Sequence, residues 1–346
     1  MTTVIVGAGL SGLYAAMRLT ERGEDVIVLE GRDRAGGRIR ADQMSPTGPK
    51  FDLGPTWFWP DHQHRIPKLL AALGLETFDQ WAVGDMVYEP QNGPVQLMPP
   101  QPMGPKPQRI VGSTGALVDA ICALLPEGCI RFLQTVTRIE KNATSMTVKT
   151  LNDSFVADRV LLAIPPRIAA KRILYTPEFP KDVLDQMRAV PTWMAGHAKI
   201  VAVYDRPIWR ERELSGHGFS HKGPIMEIHD ASPQKLGTYA LFGFIGVPAA
   251  QRKGQAAKIE SLAVAQFTRM FGEDAKTPRS VFYKDWAEDQ LTAVAEDLNP
   301  LPYHPVYAPI RVPGEWAEGL AFIGTEVAAE HGGYLEGCLE AVDAIL

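Results

Sequence analysis

The segment WMAGHAKIVAVYD, Trp193 to Asp205, alternates like a strand and carries one residue out of keeping with its face. A period of two puts Ala198, Ile200, Ala202 and Tyr204 on one side and His197, Lys199, Val201 and Val203 on the other. Lys199 thus points the way two valines point, and a buried ammonium is strongly disfavoured unless a site needs its charge. The segment alone allows two readings: an edge strand whose lysine snorkels to water, or a cation held for chemistry. A second group of residues stands at the start of the chain. Gly7, Gly9 and Gly12 form G-x-G-x-x-G between the apolar run TVIVGAG and the helical LSGLYAAMRLTERG, and Glu30 ends the next apolar run, DVIVLE. Strand, glycine loop, helix and acid at this spacing read as a dinucleotide-binding unit. The loop backbone approaches a pyrophosphate at the helix N-terminus, and Glu30 accepts hydrogen bonds from a ribose. A valine at Gly7 is expected to fill the space of the pyrophosphate.

The segment after the second run selects the nucleotide. GRDRAGGRIR sets Gly36, Gly37 and Arg38 directly behind that run, which resembles the FAD enzymes of the glutathione-reductase-like group, where this segment touches the pyrophosphate again. The far end fits the same site. Residues Leu320 to Ile323 read as a short strand, then a Gly324-Thr325-Glu326 turn, then a helix from about Gly333. A helix start suits partial negative charge, such as that of a reduced flavin ring. Ser11, Arg32 and Leu335 lie inside these motifs and Gly54 in the segment FDLGPTWFWP, and the resemblance implies that they join the cofactor contacts.

VIVGAGLSGLYAAMRL, LEGRDRAGGR, FDLGPTWFWP, VGSTGALVDAICALL, VLLAIPP, AKIVAVYDRPIWR and FIGTE…GGYLEG occur in the order found in the flavin-containing amine oxidoreductase family. The chain resembles that family, which includes monoamine and polyamine oxidases. The resemblance implies an FAD enzyme that takes hydride from the carbon beside an amine to flavin N5. The imine is then hydrolysed, and molecular oxygen restores the flavin with release of hydrogen peroxide. It further implies that Lys199 faces flavin N5 through a water and assists oxygen reduction by its charge. Tyr334 would form one wall of an aromatic cage for the amine, Trp57 and Trp286 would border the isoalloxazine, and Val136 would touch the adenine with its backbone.

Departures from the family pattern carry expectations of their own. Counting without gaps from Trp286, Ala295 stands where monoamine oxidases have a flavin-bonded cysteine, so FAD is expected to be held noncovalently. Glu296 stands where they have the second cage tyrosine. It is expected to bind a second, distal cation of the substrate or to remove the ammonium proton. The larger relatives also insert a helical segment between the hairpin ending near Met98 and GSTGALVDA, where this chain has a short proline-rich loop. The substrate channel should be wide, or closed by another subunit in a homodimer. Two alternatives stay open: a flavin-dependent desaturase or dehydrogenase of a non-amine substrate, and a flavin-binding protein without turnover.

The positioning elements can be read from composition and pattern. With 346 residues, 45% of them hydrophobic, the chain can bury a substantial core, and a net charge of −5 without basic runs argues against nucleic acid. Cys122, Cys129 and Cys338 show no ligand spacing and an odd count, which reads as reduced thiols in a cytoplasmic protein. No metal site is expected, and His62 and His64 read as loop residues. Structure begins at once, leaving no room for a signal peptide, and no apolar run is long enough to span a membrane. The fold class reads as α/β, and the resemblance implies a Rossmann-like FAD-binding domain of the glutathione-reductase type over residues 1–75, 109–166 and 305–346. An inserted α+β substrate domain with a mixed sheet takes residues 76–108 and 167–304. Expected elements are a three-stranded meander over 130–162, a chain break at Pro165 and Pro166, and a hairpin about Gln91-Asn92-Gly93. The second domain should hold strands near 197–204, 224–230, 238–246 and 279–285, with a helix over 252–271.

Overall fold

Val4, Ile5 and Val6 form an unbroken apolar run because their strand, Thr2–Val6, has a parallel neighbour on each side and cover on both faces. In the computed structural model, which describes residues 1–100, 104–234, 237–299, 301 and 303–346, this strand is the centre of a five-stranded sheet. The spatial order is Leu320–Phe322, Arg159–Leu162, Thr2–Val6, Asp25–Leu29 and Ile130–Arg131, all parallel. Helix Leu10–Glu21 and helix Leu335–Asp343 share one apolar cluster through Leu13, Leu335, Leu339 and Val342. The two ends of the chain therefore build one layer.

The opposite face is covered by the meander, which differs in extent from the expectation. Its antiparallel strands are Val136–Lys141, Met146–Thr150 and Ser154–Ala157, and Leu174–Thr176 joins them in parallel. Ile130–Arg131 and Arg159–Leu162 leave it for the parallel sheet, the first at its edge and the second inside it. Pro165 and Pro166 do not simply break the chain. Pro166 opens helix Pro166–Arg172, because a first-turn amide has no helical partner to lose.

The second sheet has seven strands in the order Ser280–Asp285, Ala198–Tyr204, Tyr239–Ile245, Ile225–Asp230, Leu214–Ser220, Asp85–Glu89 and Gln96–Met98. The last two are the hairpin about Asn92; the proline-rich loop beyond it includes residues 101–103, which lie outside the described residues. Strand Leu214–Ser220 escaped the sequence reading because Gly216 and Gly218 dilute its alternation. Helix Ala256–Phe271 covers one face through Ile259, Ala263 and Phe267 against Ala198, Ile200 and Leu241. On the other face Val201, Val203 and Phe242 meet Phe51 and Leu53. Ala198–Tyr204 pairs on both sides, so it is not an edge strand and its lysine has no route to snorkel. Among the described residues no helix is long and apolar enough to cross a membrane.

At the end of strand Ser280–Asp285 a buried ion pair locks the turn into Trp286. Arg252 donates to both Asp285 oxygens at 2.8 Å and to the Gly196 carbonyl, and both side chains are almost wholly buried. Arg252→Met should cost about 3–5 kcal/mol by stranding the carboxylate. Urea unfolding of the holoprotein measures it, and adding Asp285→Asn should recover part of the loss.

Candidate active site

The glycine loop adopts the shape its spacing demands, and its three glycines answer to different constraints. A Cβ on Gly12 would lie 1.9 Å from the Gly7 carbonyl oxygen, and Gly7, at φ +102, would press a Cβ to 2.7 Å from Ile164. Both are required by close packing of loop, strand and helix. Gly9 has nothing within 4 Å of its Cβ position, although it precedes the same helix. The open surface for a pyrophosphate is thus at Gly9, and a valine at Gly7 would strike Ile164 rather than fill that space. Gly36 N–H donates to the Ala8 carbonyl at 2.8 Å, and Gly37 runs alongside Gly9, so the second glycine pair borders the same opening. Ser11 is buried in the first turn of the helix.

Glu30 is buried, and its carboxylate accepts from the Ala8 N–H at 2.8 Å and the Arg32 N–H at 2.9 Å. Arg32 reaches across to Asp289 at 2.7 Å and Thr292 at 3.0 Å. Gly7, Glu30, Arg32 and Val136 line one open recess. The residues expected around an adenosine are therefore together. At the other end of the cofactor track, Glu326 is fully buried with an Arg38 guanidinium nitrogen at 2.6 Å. Arg38 is thus the charge partner of this buried carboxylate. Gly324 starts the short turn that carries it, and Gly333 and Tyr334 lead into helix Leu335–Asp343.

Lys199 is 3% exposed. Its ammonium donates to the Gly54 carbonyl at 3.1 Å and to the Thr56 hydroxyl, and lies 4.1 Å above the centre of the Phe242 ring. Burial pushes its pKa down to about 7, against the pull of Asp52. Asp52 is itself buried, and its carboxylate accepts from the amide and hydroxyl of Thr114. Trp286 donates its indole N–H to the Leu53 carbonyl at 2.9 Å, on the same strip of chain that holds the lysine. Trp57 also belongs here: its indole N–H is tied to Gln80, and its ring meets His229 and Phe242 at 4.7 and 5.3 Å.

Tyr334 meets a different set of rings. Trp59 is edge-on to it at 5.9 Å, and His304 stacks nearly parallel at 4.9 Å with Trp193 behind it. Glu296 does not join them closely. It is exposed on the short turn Ala295–Asp297 and borders a shallow recess with Thr192, Trp193 and His197. The buried acid of that turn is Asp297, which accepts from Arg167 at 2.5 Å and from the Thr192 amide. Thr56, Trp59, Phe242 and His304 escaped the sequence reading. Trp59 was within reach of it, two residues beyond Trp57, but only the turn decides which indole faces the tyrosine.

The sequence profile described as "Flavin containing amine oxidoreductase" matches residues 10–94 and 91–345. The chain belongs to this family. Its two matched segments meet at the hairpin turn, just ahead of the proline-rich loop. A probable flavin-containing monoamine oxidase A of Dictyostelium discoideum is 24% identical over 98% of this chain and 95% of its own length. That alignment runs over 441 residues, more than this chain has, so the relative carries segments without a counterpart here. An L-amino acid dehydrogenase of Synechocystis is 22% identical over 99% of this chain and 93% of its own. Among solved structures, a putrescine oxidase bound to putrescine superposes with a TM-score of 0.81 at 21% identity, covering 99% of this chain and 98% of that one. This amine oxidoreductase offers groups that fit a flavin dinucleotide: open space at Gly9, a buried carboxylate acceptor at Glu30 and the Arg38–Glu326 ion pair.

Because Gly9 has ordinary extended backbone geometry and free space, Gly9→Val should fold while its side chain takes the place of the pyrophosphate. The expected product is soluble, with wild-type circular dichroism and no flavin absorbance. Flavin bound at the wild-type level would place the pyrophosphate elsewhere.

Proposed function

We propose that this family member is a cytoplasmic amine oxidase that holds FAD noncovalently and uses molecular oxygen as acceptor. The observation that carries the reading is the buried ammonium of Lys199, on an interior strand and facing the Gly54–Trp57 strip. When bound, FAD supplies a hydride acceptor at N5 and a route for electrons to oxygen. The chain's own groups supply position and charge. Phe242 and Phe244 lie 4.1 and 5.9 Å from the ammonium, with Trp57 packed on Phe242, so its field is little screened. Tyr334 and Trp59 offer ring surfaces that orient an amine while leaving its lone pair free. Lys199 Nζ keeps its proton at or below about pH 7 and can donate it to a reduced oxygen species.

The similarity to an L-amino acid dehydrogenase favours one second reading, in which oxygen is not the acceptor. Anaerobic mixing with a panel of amines, followed by air, separates the two. Amines should bleach the flavin, and air should restore it rapidly with release of peroxide; slow restoration favours the dehydrogenase. Lys199→Met should leave flavin reduction nearly intact and slow reoxidation on the order of ten-fold or more, at least about 1.4 kcal/mol of transition-state stabilisation. The charge sets the sign of the pH dependence. In the wild type the ammonium is lost as pH rises through about 7, so reoxidation should slow over that range. In Lys199→Met the step should disappear, as read by stopped-flow absorbance. Ala295 carries no thiol, so acid precipitation should release all the flavin to the supernatant. Flavin retained on the pellet would require a covalent bond.

A further inference from the structure

The sheet face that carries Lys199 continues beyond the lysine. Strand pairing places Lys199, Phe244, Glu227, Phe219 and Tyr88 in one row across five strands. The adjacent row holds Val201, Phe242 and His229, and His217 stacks on His229 at 4.6 Å and 14°. Directly paired residues share a face, so His217, Glu227 and His229 look the same way as the lysine. One ring joins the two groups: Phe242 lies 4.1 Å from the lysine ammonium and 5.2 Å from the His229 ring. Glu227 stands two strand spacings from Lys199, about 10 Å.

Nothing in the packing of the fold asks for polar side chains here. The face against helix Ala256–Phe271 is held by Ile225 and Ile228 of the same strand. Among the described residues the ion-pair partner of Glu227 is His229, at 2.6 Å. His217 is 8% exposed, and its Nε2 is buried without any partner. An unsatisfied buried polar atom is costly and rare in a native fold. The cluster is rich in acceptors: although burial opposes its charge, the His229 hydrogen bond holds the Glu227 carboxyl below the usual carboxylate range. Burial and the neighbouring His229 keep the His217 ring neutral, with a pKa of about 4. A carboxylate and a neutral imidazole lone pair together accept hydrogen bonds from a cation, and no arginine or lysine side chain among the described residues provides one.

We infer that Glu227 and His217, positioned by His229, form a subsite for the distal ammonium of an α,ω-diamine whose other nitrogen reacts beside Lys199. The inference rests on the amine oxidase reading above. It assigns the distal-cation role expected of Glu296 to a different acid. The aromatic floor between the two ends, Phe242 and Phe244 with Trp57 beside them, suits a methylene chain. The row spacing, less the reach of the side chains, fits about four to six carbons. The arrangement also separates two needs that conflict at one nitrogen. The reacting amine must lose its proton before giving up hydride, which the cationic lysine favours, while the distal one keeps its proton beside a carboxylate.

The test compares 1,4-, 1,5- and 1,6-diaminoalkanes with n-alkylamines of equal length on the holoenzyme, by steady-state turnover and anaerobic flavin reduction. Diamines should exceed the matching monoamine in kcat/KM by about ten-fold or more, the scale of one charge-assisted hydrogen bond. Glu227→Gln should lower that ratio by a similar factor, chiefly through KM for the diamine, and Glu227→Asp should restore part of it. Flavin content and monoamine turnover of each variant report its folding. If neither class bleaches the flavin, the amine oxidase reading fails and this subsite falls with it. If alkylamines match diamines, or Glu227→Gln shifts both classes equally, the subsite alone is overturned. Stoichiometric zinc in the purified enzyme that is lost in His217→Ala, with the diamine ratio unmoved, would assign the cluster to a metal and overturn it as well.

Discussion

An ammonium in the middle of an apolar strand face needs oxygen partners, and much of this structure is arranged to supply them at Lys199. The partners come from a different part of the chain, the Gly54 carbonyl and Thr56 hydroxyl, so the seven-stranded sheet must dock on the strip that leaves the glycine-rich half. Val201, Val203 and Phe242 against Phe51 and Leu53 provide the apolar area for that docking. Trp286 adds a hydrogen bond to Leu53 from the neighbouring strand end. The Arg252–Asp285 pair in turn fixes the turn into Trp286. Withdraw the apolar contact and the lysine would be solvated; withdraw the oxygens and it would be deprotonated.

The same coupling runs through the cofactor end. Glu30 is placed to meet a ribose, yet it also ties the Ala8 amide of the glycine loop to Arg32. Arg32 continues to Asp289 and Thr292, a few residues after Trp286. A continuous set of hydrogen bonds therefore connects the loop that would hold the pyrophosphate to the segment beside the lysine. Glu336 does similar work at the last helix: its carboxylate accepts from the first amides of helix Arg65–Ala72, linking the helix behind Tyr334 to the chain beyond Trp59. Filling the nucleotide track and shaping the substrate side are thus one structural problem.

One end of the seven-stranded sheet carries exposed apolar side chains. Phe219, Leu97 and Met226 are exposed on strands of the same sheet, and no helical segment lies between the hairpin and the loop ahead of residue 108 among the described residues. The polar group at Glu227, His217 and His229 lies on this same sheet.

Local order along the chain was enough for much of this. The glycine spacing, the acid after the second strand and the alternation around Lys199 identify the parallel unit, the family and the lysine as a functional candidate, because each depends on backbone geometry over a few residues. Register across strands was not legible. Whether Lys199 lay on an edge or at the centre depended on Ser280–Asp285 and Tyr239–Ile245 pairing on either side of it. A count along one segment set Glu296 beside the substrate, but the turn exposes it and buries Asp297 instead. His217, Glu227 and His229 carry no spacing that marks a site. Only antiparallel pairing, which sets residues distant in sequence on one face of neighbouring strands, makes them neighbours of each other and of the lysine.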